Sequence, residues 1–157
     1  MSENKTKLAI IIPCFNEELV VKSTVETLLN VLDGIIAKGK ISEDSYIYLV
    51  DDGSKDKTWE IIENLHQTYG ARVKGTKFIR NYGNQKALIA GLLGVKNIGC
   101  DCVVSIDADL QQDENAIETF IDEYHNGAEI VSGIRNDRKT DSFFKKYTAL
   151  CFYKLMN

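Results

Sequence analysis

The sequence predicts an α/β fold with a mostly parallel central sheet flanked by helices. Short apolar runs rich in β-branched residues alternate with longer segments of helical periodicity, and this alternation implies right-handed βαβ crossovers. The run over 101–106 has the composition of a strand covered on both faces. At 157 residues the chain has the length of one domain with a single core.

The predicted elements follow one another in regular order. The strands are 8–12, 46–50, 73–79, 101–106 and 129–133, and the helices are 17–38, 56–69, 84–97, 114–125 and 143–156. Apolar residues of the first helix recur at spacings of three and four, and Asn16 is its predicted N-cap. In the second helix Trp59, Ile62 and either Leu65 or His66 are predicted to face inward.

Composition and charge exclude several classes of protein. The net charge of −4 and the pI near 5.2 argue against a nucleic-acid-binding surface. The four cysteines lack C-x-x-C spacing, which favours reduced thiols in a cytosolic protein over structural zinc. Residues 1–7 are polar and precede only five apolar residues, so we expect neither a signal peptide nor a membrane span there.

The composition changes after Arg135. Residues 136–141 are charged and polar, which predicts an exposed loop, and 143–156 is dense in aromatic residues and lysines. A helix of this composition suits a membrane interface, and packing on the sheet or on a partner segment is the alternative. Because no glycine or capping signal ends this helix, we expect a chain truncated before further segments.

Two carboxylates, Asp107 and Asp109, follow the predicted strand 101–106. The carboxyl end of a parallel strand is where open α/β sheets bind ligands. Two hard oxygen ligands so close together suit a Mg²⁺ or Mn²⁺ ion that takes its remaining ligands from water and a substrate diphosphate. The alternative is a polar turn that leaves a strand.

Polar groups also follow the first three strands. The first is followed by residues 13–17, without the G-x-G-x-x-G of dinucleotide-binding folds or a Walker lysine loop, so NAD and FAD are disfavoured. Asp51 and Asp52 follow the second, where acidic groups accept hydrogen bonds from a ribose or a base N–H. In 80–86, Gly83 permits a positive-φ turn. The basic residues Arg80 and Lys86 either bring positive charge towards a diphosphate or are simply solvated.

Four stretches of the chain carry motifs: Ile-Pro-Cys-Phe-Asn-Glu-Glu at 12–18, Val-Asp-Asp-Gly-Ser-Lys-Asp-Lys-Thr at 50–58, Arg-Asn-Tyr-Gly at 80–83 and Asp-Ala-Asp-Leu-Gln at 107–111. Taken in this order, they resemble the family 2 glycosyltransferases of the GT-A fold. The resemblance is closest to the branch of dolichol-phosphate mannose synthase and the bacterial polyprenyl-phosphate (bactoprenol) glycosyltransferases. It extends from about residue 8 to the end of the chain. Each motif alone is weak, whereas four in order are specific.

The resemblance implies site residues motif by motif. The implied metal ligands are Asp107, Asp109 and Gln111, of which Asp109 and Gln111 are also catalytic. The implied donor-binding residues are Pro13, Asn16, Glu17, Asp52, Gly53, Ser54, Asn81, Gly83, Lys86, Asp107 and Arg135. The chain departs from the branch at 112–114, where Gln-Asp-Glu replaces the usual prolines, and it lacks the downstream acidic motif of the family.

The function implied by the resemblance is an inverting, Mg²⁺- or Mn²⁺-dependent transfer of a sugar from a UDP- or GDP-sugar to a polyprenyl or dolichyl phosphate. Residues 1–135 would form the nucleotide-sugar-binding domain. Residues 136–157 would begin an acceptor or membrane-interface region at the cytoplasmic face of the membrane. The fragment itself would be soluble and could form a homo-oligomer. Two alternatives are a saccharide acceptor in cell-surface polysaccharide synthesis and a fragment that binds donor without turnover.

Overall fold

The computed structural model describes residues 5–111 and 113–133. Within these ranges four strands alternate with four α-helices, which matches the predicted order except at 129–133. The elements are β1 (Leu8–Cys14), α1 (Val21–Ala37), β2 (Tyr46–Asp51), α2 (Thr58–Tyr69), a 3-10 turn (Gly70–Arg72), β3 (Val73–Lys77), α3 (Asn84–Ile98), β4 (Cys102–Ser105) and α4 (Ala116–His125). None of the helices in the described ranges is long and apolar enough to cross a membrane.

The four strands form one parallel sheet in the order β3-β2-β1-β4. β1 lies in its interior, where Ile10 pairs with Ile47 of β2 and Val104 of β4. A strand with neighbours on both edges and helices on both faces is shielded from water throughout, which explains why β1 is almost entirely apolar. The sheet confirms the predicted α/β class.

The two faces of the sheet build two layers of core. Leu8, Ile10 and Ile12 of β1 pack into a cluster with residues of α1, α2 and α4, whereas Ala9 and Ile11 pack into a second cluster with residues of α3. Burying one such aliphatic side chain contributes roughly 1.5–3 kcal/mol. The alternation of side chains along a strand therefore anchors helices on both faces.

Helix α3 approaches the sheet unusually closely because glycines face it. A Cβ at Gly91 would lie 2.6 Å from Cγ2 of Ile11, and one at Gly94 would lie 2.6 Å from the hydroxyl oxygen of Tyr48. Glycine inside a helix costs roughly 0.5–1 kcal/mol relative to alanine. Here that cost is offset by the close contact between helix and sheet.

The structure corrects the predicted start of the first helix. α1 begins at Val21 with Val20 at the N-cap position, and Asn16 adopts a left-handed φ of 57°. The prediction that Asn16 caps this helix is therefore wrong. The residues between β1 and α1 are held instead by hydrogen bonds to the β2–α2 loop, described below, which keep them out of the helix.

The predicted strand at 129–133 is also wrong, because this segment has no strand hydrogen bonding and Ile130 is 88% exposed. It runs beside β4 without forming a ladder with it. β4 itself is only half-buried, contrary to the expectation of a strand covered on both faces, since no described strand pairs with its outer edge. The predicted helix 143–156 lies outside the described residues.

Candidate functional site

The carboxyl ends of the four strands meet around a cleft of about 390 Å³. Seven of the predicted site residues line it: Pro13, Glu17, Asp52, Asn81, Gly83, Asp107 and Asp109. They come from the carboxyl ends of all four strands or from the loops that follow them, so the parallel topology brings together residues far apart in the chain. A larger groove, of about 550 Å³, lies along the outer side of β4 and contains none of the predicted site residues.

Other predicted residues do not line this cleft, namely Asn16, Gly53, Ser54, Lys86 and Gln111. Arg135 lies outside the described residues. The cleft also includes residues that the prediction did not assign to the site: Cys14, Phe15, Asn84, Ala87 and Ala108. Phe15 and Ala108 stand inside the motifs themselves, so their position beside predicted residues was the available signal.

Asp52 fastens the loop after β3 to the end of β2. Its two carboxylate oxygens accept hydrogen bonds from the backbone N–H groups of Tyr82 (2.7 Å) and Gly83 (2.8 Å). The residue is almost fully buried. Hydrogen bonds to a charged group contribute roughly 1.5–3 kcal/mol each. Asp52 thus positions the segment that carries Asn81 and Gly83 into the cleft.

Gly53 lets the same two loops touch. Its φ is +71°, and a Cβ there would lie 2.3 Å from the carbonyl carbon of Arg80 and 2.7 Å from the backbone nitrogen of Asn81. No side-chain rotation relieves a contact with backbone. Gly83, with a φ of +95°, occupies the N-cap of α3 and confirms the expected positive-φ turn.

Reciprocal hydrogen bonds join the β1–α1 loop to the β2–α2 loop. The backbone N–H of Asn16 donates to the Ser54 hydroxyl (2.9 Å), and its side-chain oxygen accepts from the N–H of Lys55 (2.9 Å). The N–H of Glu17 donates to the Thr58 hydroxyl (2.8 Å). Asn16 and Ser54 therefore serve to hold the two loops together.

Asp56 strengthens the same junction. Its carboxylate accepts hydrogen bonds from the hydroxyl (2.6 Å) and N–H (3.0 Å) of Thr58 and from the N–H of Glu18 (3.1 Å). Burial opposes ionisation of Asp56, but these hydrogen bonds outweigh it and lower the pKa of the carboxyl below its ordinary value. Asp56 precedes Lys57, the N-cap residue of α2, which has no side-chain capping hydrogen bond, so Asp56 anchors the loop before the helix rather than capping the helix.

Asp107 and Asp109 are exposed, while Ala108 between them is buried in the core. The Ala108 carbonyl accepts a hydrogen bond from the buried hydroxyl of Thr24 in α1 (2.5 Å). This anchor holds the middle residue inward and leaves both neighbouring carboxylates at the cleft. Next in the chain, Leu110 has a φ of +48°, and the N–H of Gln111 donates to Oδ1 of Asp109 (3.2 Å).

Negative charge accumulates in the cleft. Partial burial raises the pKa of the Glu17 carboxyl above its ordinary value, and the charges of Asp109 and Asp56 raise it further. In the described ranges no group of three or more His, Cys, Asp and Glu side chains is arranged to hold a metal ion. Two exposed carboxylates nevertheless fit a hard cation such as Mg²⁺ that keeps water and takes substrate oxygens as its other ligands.

The loop after β3 carries an aromatic residue between two cations. The ring of Tyr82 lies 4.9 Å from the Arg80 guanidinium and 5.7 Å from the Lys86 ammonium, and its edge packs on Phe78 at 5.4 Å between centroids. Cation–π contacts of this kind contribute roughly 0.5–1 kcal/mol at exposed sites. Arg80 and Lys86 thus flank the part of the chain that carries Asn81 and Gly83 into the cleft, and neither of the two lines the cleft itself.

Comparison with known proteins gives the following relatives. Residues 9–156 match the family described as Glycosyl transferase family 2. The chain is 51% identical over 157 residues to the "Uncharacterized glycosyltransferase YkoT" of Bacillus subtilis (strain 168), covering all of this chain and 46% of that protein. It is 36% identical over 148 residues to the "Undecaprenyl-phosphate 4-deoxy-4-formamido-L-arabinose transferase" of Edwardsiella ictaluri (strain 93-146), covering 93% and 42%.

Among solved structures, the mannosyltransferase PcManGT from Pyrobaculum calidifontis, in complex with GDP-Man and Mn²⁺, superposes with a TM-score of 0.53. The identity is 19%, and the match covers 73% of this chain and 31% of that one. This likeness shows the fold. The chain spans less than half the length of the curated relatives it matches.

Proposed function

The chain belongs to glycosyl transferase family 2, and we propose that it supplies the donor-binding part of an enzyme that transfers a sugar from a UDP- or GDP-sugar to a polyprenyl phosphate. In this proposal residues 1–135 bind the donor. Arg135, at the end of this part, would reach a donor phosphate, and residues 136–157 would lead into the acceptor and membrane-interface region. The enzyme would then act at the cytoplasmic face of a membrane.

The observation that carries the proposal is the position of Asp107 and Asp109. Both are exposed at the end of β4 and line the same cleft as Pro13, Glu17 and Asn81. A nucleoside diphosphate sugar offers a base and ribose at one end and a diphosphate at the other. Its diphosphate can reach the two aspartates only through a cation, since the cleft is already negatively charged.

Mg²⁺ or Mn²⁺ would be held by Asp107 and Asp109, with Gln111 assisting from the turn that follows. When bound, such an ion supplies Lewis-acid stabilisation of the leaving nucleoside diphosphate. The Thr24 hydroxyl, through its hydrogen bond to the Ala108 carbonyl, fixes the backbone between the two carboxylates. The similar mannosyltransferase structure, which contains Mn²⁺ and GDP-Man, supports this assignment.

The remaining residues would shape the donor pocket in two ways. Pro13 and Glu17 would border the base and ribose. Asp52 would act mainly through the loop it holds, because both of its oxygens already accept backbone hydrogen bonds. Asn81 and Gly83 on that loop would face the donor, and the cations Arg80 and Lys86 at the rim would attract its phosphates.

A polyprenyl phosphate is the proposed acceptor, supported by the undecaprenyl-phosphate transferase among the relatives. A phosphate oxygen is anionic at neutral pH and needs little help from a general base. Its attack on the anomeric carbon, opposite the leaving diphosphate, inverts the configuration there. The bond from the anomeric carbon to the diphosphate breaks as the bond to the acceptor oxygen forms.

The test is a thermal-shift panel of UDP, GDP, UDP-glucose and GDP-mannose, each with and without Mn²⁺. A ligand at about 100 times its dissociation constant adds roughly 2.7 kcal/mol of stability. We expect metal-dependent stabilisation by one nucleotide, lost in Asp109→Asn and kept in Asp44→Asn. Asp44 is an exposed aspartate before β2, at the amino ends of the strands and so on the opposite side from the cleft, and this variant therefore controls for the change in charge.

Two outcomes would count against the proposal. If no nucleotide stabilises the chain with or without Mn²⁺, the cleft is not a donor site. If Asp109→Asn responds as the wild type does, the aspartate pair does not hold the cation. Donor binding without sugar transfer to polyprenyl phosphate would instead favour the alternative of a fragment that binds donor without turnover.

A further inference from the structure

The charge of the chain is distributed unevenly, although its net charge is −4. All 23 acidic residues lie outside the stretch between Glu63 and Asp101. That stretch contains six basic residues: Arg72, Lys74, Lys77, Arg80, Lys86 and Lys96. It folds as β3, the loop that follows and α3, so one region of the molecule has no negative side chain of its own.

Helix α3 reverses the usual size pattern of a surface helix. Its buried positions are Ala87, Gly91 and Val95, which are small. Its outer face carries the larger aliphatic residues Ile89 and Leu93, which are 56% and 59% exposed. A helix facing water normally buries its large aliphatic residues and exposes polar ones.

The exposed apolar residues are framed by basic ones. Ile89 lies three residues before Leu92 and four before Leu93, so both leucines lie on the same side of the helix as Ile89. Lys86 lies three residues before Ile89, and Lys96 lies three residues after Leu93, so both are on that face as well. We call this surface, together with Ile79, Arg80 and Tyr82 of the preceding loop, the basic–apolar face.

The preceding loop continues this surface towards the cleft. Ile79 is 93% exposed, and Tyr82 holds its partly exposed ring between Arg80 and Lys86. Tyrosine beside basic residues is typical of groups at a membrane–water interface, where the ring enters the headgroup layer and the cations meet lipid phosphates. The surface therefore reaches from the outer side of α3 to the rim of the cleft.

We propose that the basic–apolar face binds the surface of an anionic lipid bilayer, with α3 lying flat on it. Aliphatic side chains would enter the headgroup boundary and Lys96 would meet lipid phosphates, while Arg80 and Lys86 would add positive potential at the end of the face next to the cleft. Helix α3 has 15 residues, fewer than the roughly 20 that span a bilayer, so it can only lie on the surface. The inference rests on exposure and charge and does not require the proposed donor site.

Charge favours a bilayer over two protein occupants. A second copy, docked through the same face by two-fold symmetry, would bring together two surfaces that both carry Arg80, Lys86 and Lys96. The aromatic segment 143–156 carries lysines at 145, 146 and 154 and no acidic residue, so it offers no complementary charge. Anionic lipid supplies the negative charge that both lack.

The test is co-sedimentation of the chain with phosphatidylcholine vesicles and with vesicles of equimolar phosphatidylcholine and phosphatidylglycerol. We expect binding to the anionic vesicles only. Leu93→Glu should weaken it more than about tenfold, because it removes an inserted aliphatic group and adds a repelled charge. The matched control Leu19→Glu changes a leucine that is 91% exposed before α1, and should bind like the wild type.

A second pair of variants isolates charge. Lys96→Gln should lower the binding constant about fivefold, the equivalent of about 1 kcal/mol for one basic residue near an anionic surface. Lys22→Gln, an exposed lysine of α1, should have little effect. These pairs also separate the face from any contribution of residues 143–156, which all variants share.

Several results would overturn the inference. One is equal binding to neutral and anionic vesicles, and another is equal loss in Leu93→Glu and Leu19→Glu. A third is a wild-type dimer, seen by light scattering without lipid, that Leu93→Glu dissociates, because the face would then bind a second copy. Nucleotide-dependent thermal shifts, measured on Leu93→Glu, report the donor site separately, so failure of one proposal is distinguishable from failure of the other.

Discussion

Replacing Gly53 with alanine should disrupt the junction on which the cleft depends. The new Cβ would lie 2.3 Å from the carbonyl carbon of Arg80 and 2.6 Å from its Cα, distances that real Cβ atoms essentially never show. The β3–α3 loop would have to move away by about 1 Å, since carbon atoms pack at roughly 3.5–4 Å. Asp52 holds that loop through its hydrogen bonds to Tyr82 and Gly83, so these bonds would stretch or break.

The magnitude follows from two contributions. A residue with a Cβ at positive φ costs roughly 1–2 kcal/mol. Loss of at least one charge-assisted hydrogen bond of the buried Asp52 adds roughly 1.5–3 kcal/mol. We therefore expect Gly53→Ala to lower the free energy of unfolding by about 3–5 kcal/mol and to abolish nucleotide-dependent stabilisation.

Equilibrium unfolding in urea measures this difference, with Gly39→Ala as the control. Gly39 has a similar φ of +75°, but a Cβ there would meet only Nζ of Lys5, at 3.9 Å. Gly39→Ala should therefore show only the roughly 1–2 kcal/mol of backbone strain. If the two variants lose the same stability, the close approach of the loops at Gly53 does not constrain the fold as argued.

Three further predictions concern the frame of the site. Gly91→Ala should destabilise the chain by roughly 1–3 kcal/mol in urea unfolding, because the new Cβ would overpack α3 against the sheet. The control Gly34→Ala in α1, with nothing within 4 Å of the new Cβ, should instead stabilise the chain by about 0.5–1 kcal/mol. Asp56→Ala should cost about 1 kcal/mol at pH 7. Folding lowers the pKa of Asp56, so the stabilisation by this carboxylate is present above the ordinary pKa of 3.8 and is lost as the pH falls through the lowered pKa. In a pH series of melting temperatures, the variant should therefore converge with the wild type at low pH. A difference that stays constant with pH would contradict the assignment. Thr24→Val should cost roughly 1–3 kcal/mol and weaken the metal-dependent thermal shift, because the buried carbonyl of Ala108 loses its donor; an unchanged shift would refute a positioning role.

The sequence was sufficient for the order and type of the elements in the described ranges up to α4. Continuous apolar runs and the period of 3.6 are local patterns, and the glycine at position 83 correctly indicated its turn. Of the two inward candidates in α2, Leu65 is buried and His66 is exposed, with its ring hydrogen-bonded to the carbonyl of Val73. An amphipathic pattern alone could not separate neighbours at the edge of the helix face.

The missing features depend on contacts between distant loops. Asn16 looked like a helix cap because its chemistry fits that position, but Ser54 and Lys55, nearly forty residues away, bind it in a left-handed conformation. Asp52 looked like a group for the ligand, and its oxygens are taken by backbone N–H groups after β3. The periodicity of a sequence does not indicate which of several hydrogen-bond donors a buried carboxylate will contact.

The strand order has a consequence for how the chain acquires its structure. Of the four strands β1 is synthesised first, but one of its edges stays unpaired until β4 is made, since Leu8 of β1 pairs with Cys102 of β4. Pairing of strands so far apart in sequence requires closure of a long loop, and the chain loses entropy before the strand contacts form. This slows folding. Until then an apolar strand edge stays open on the nascent chain, a template for association with other chains. We therefore expect the aspartate pair to take its place last, and a ribosome-bound chain that ends before β4 to depend on chaperones.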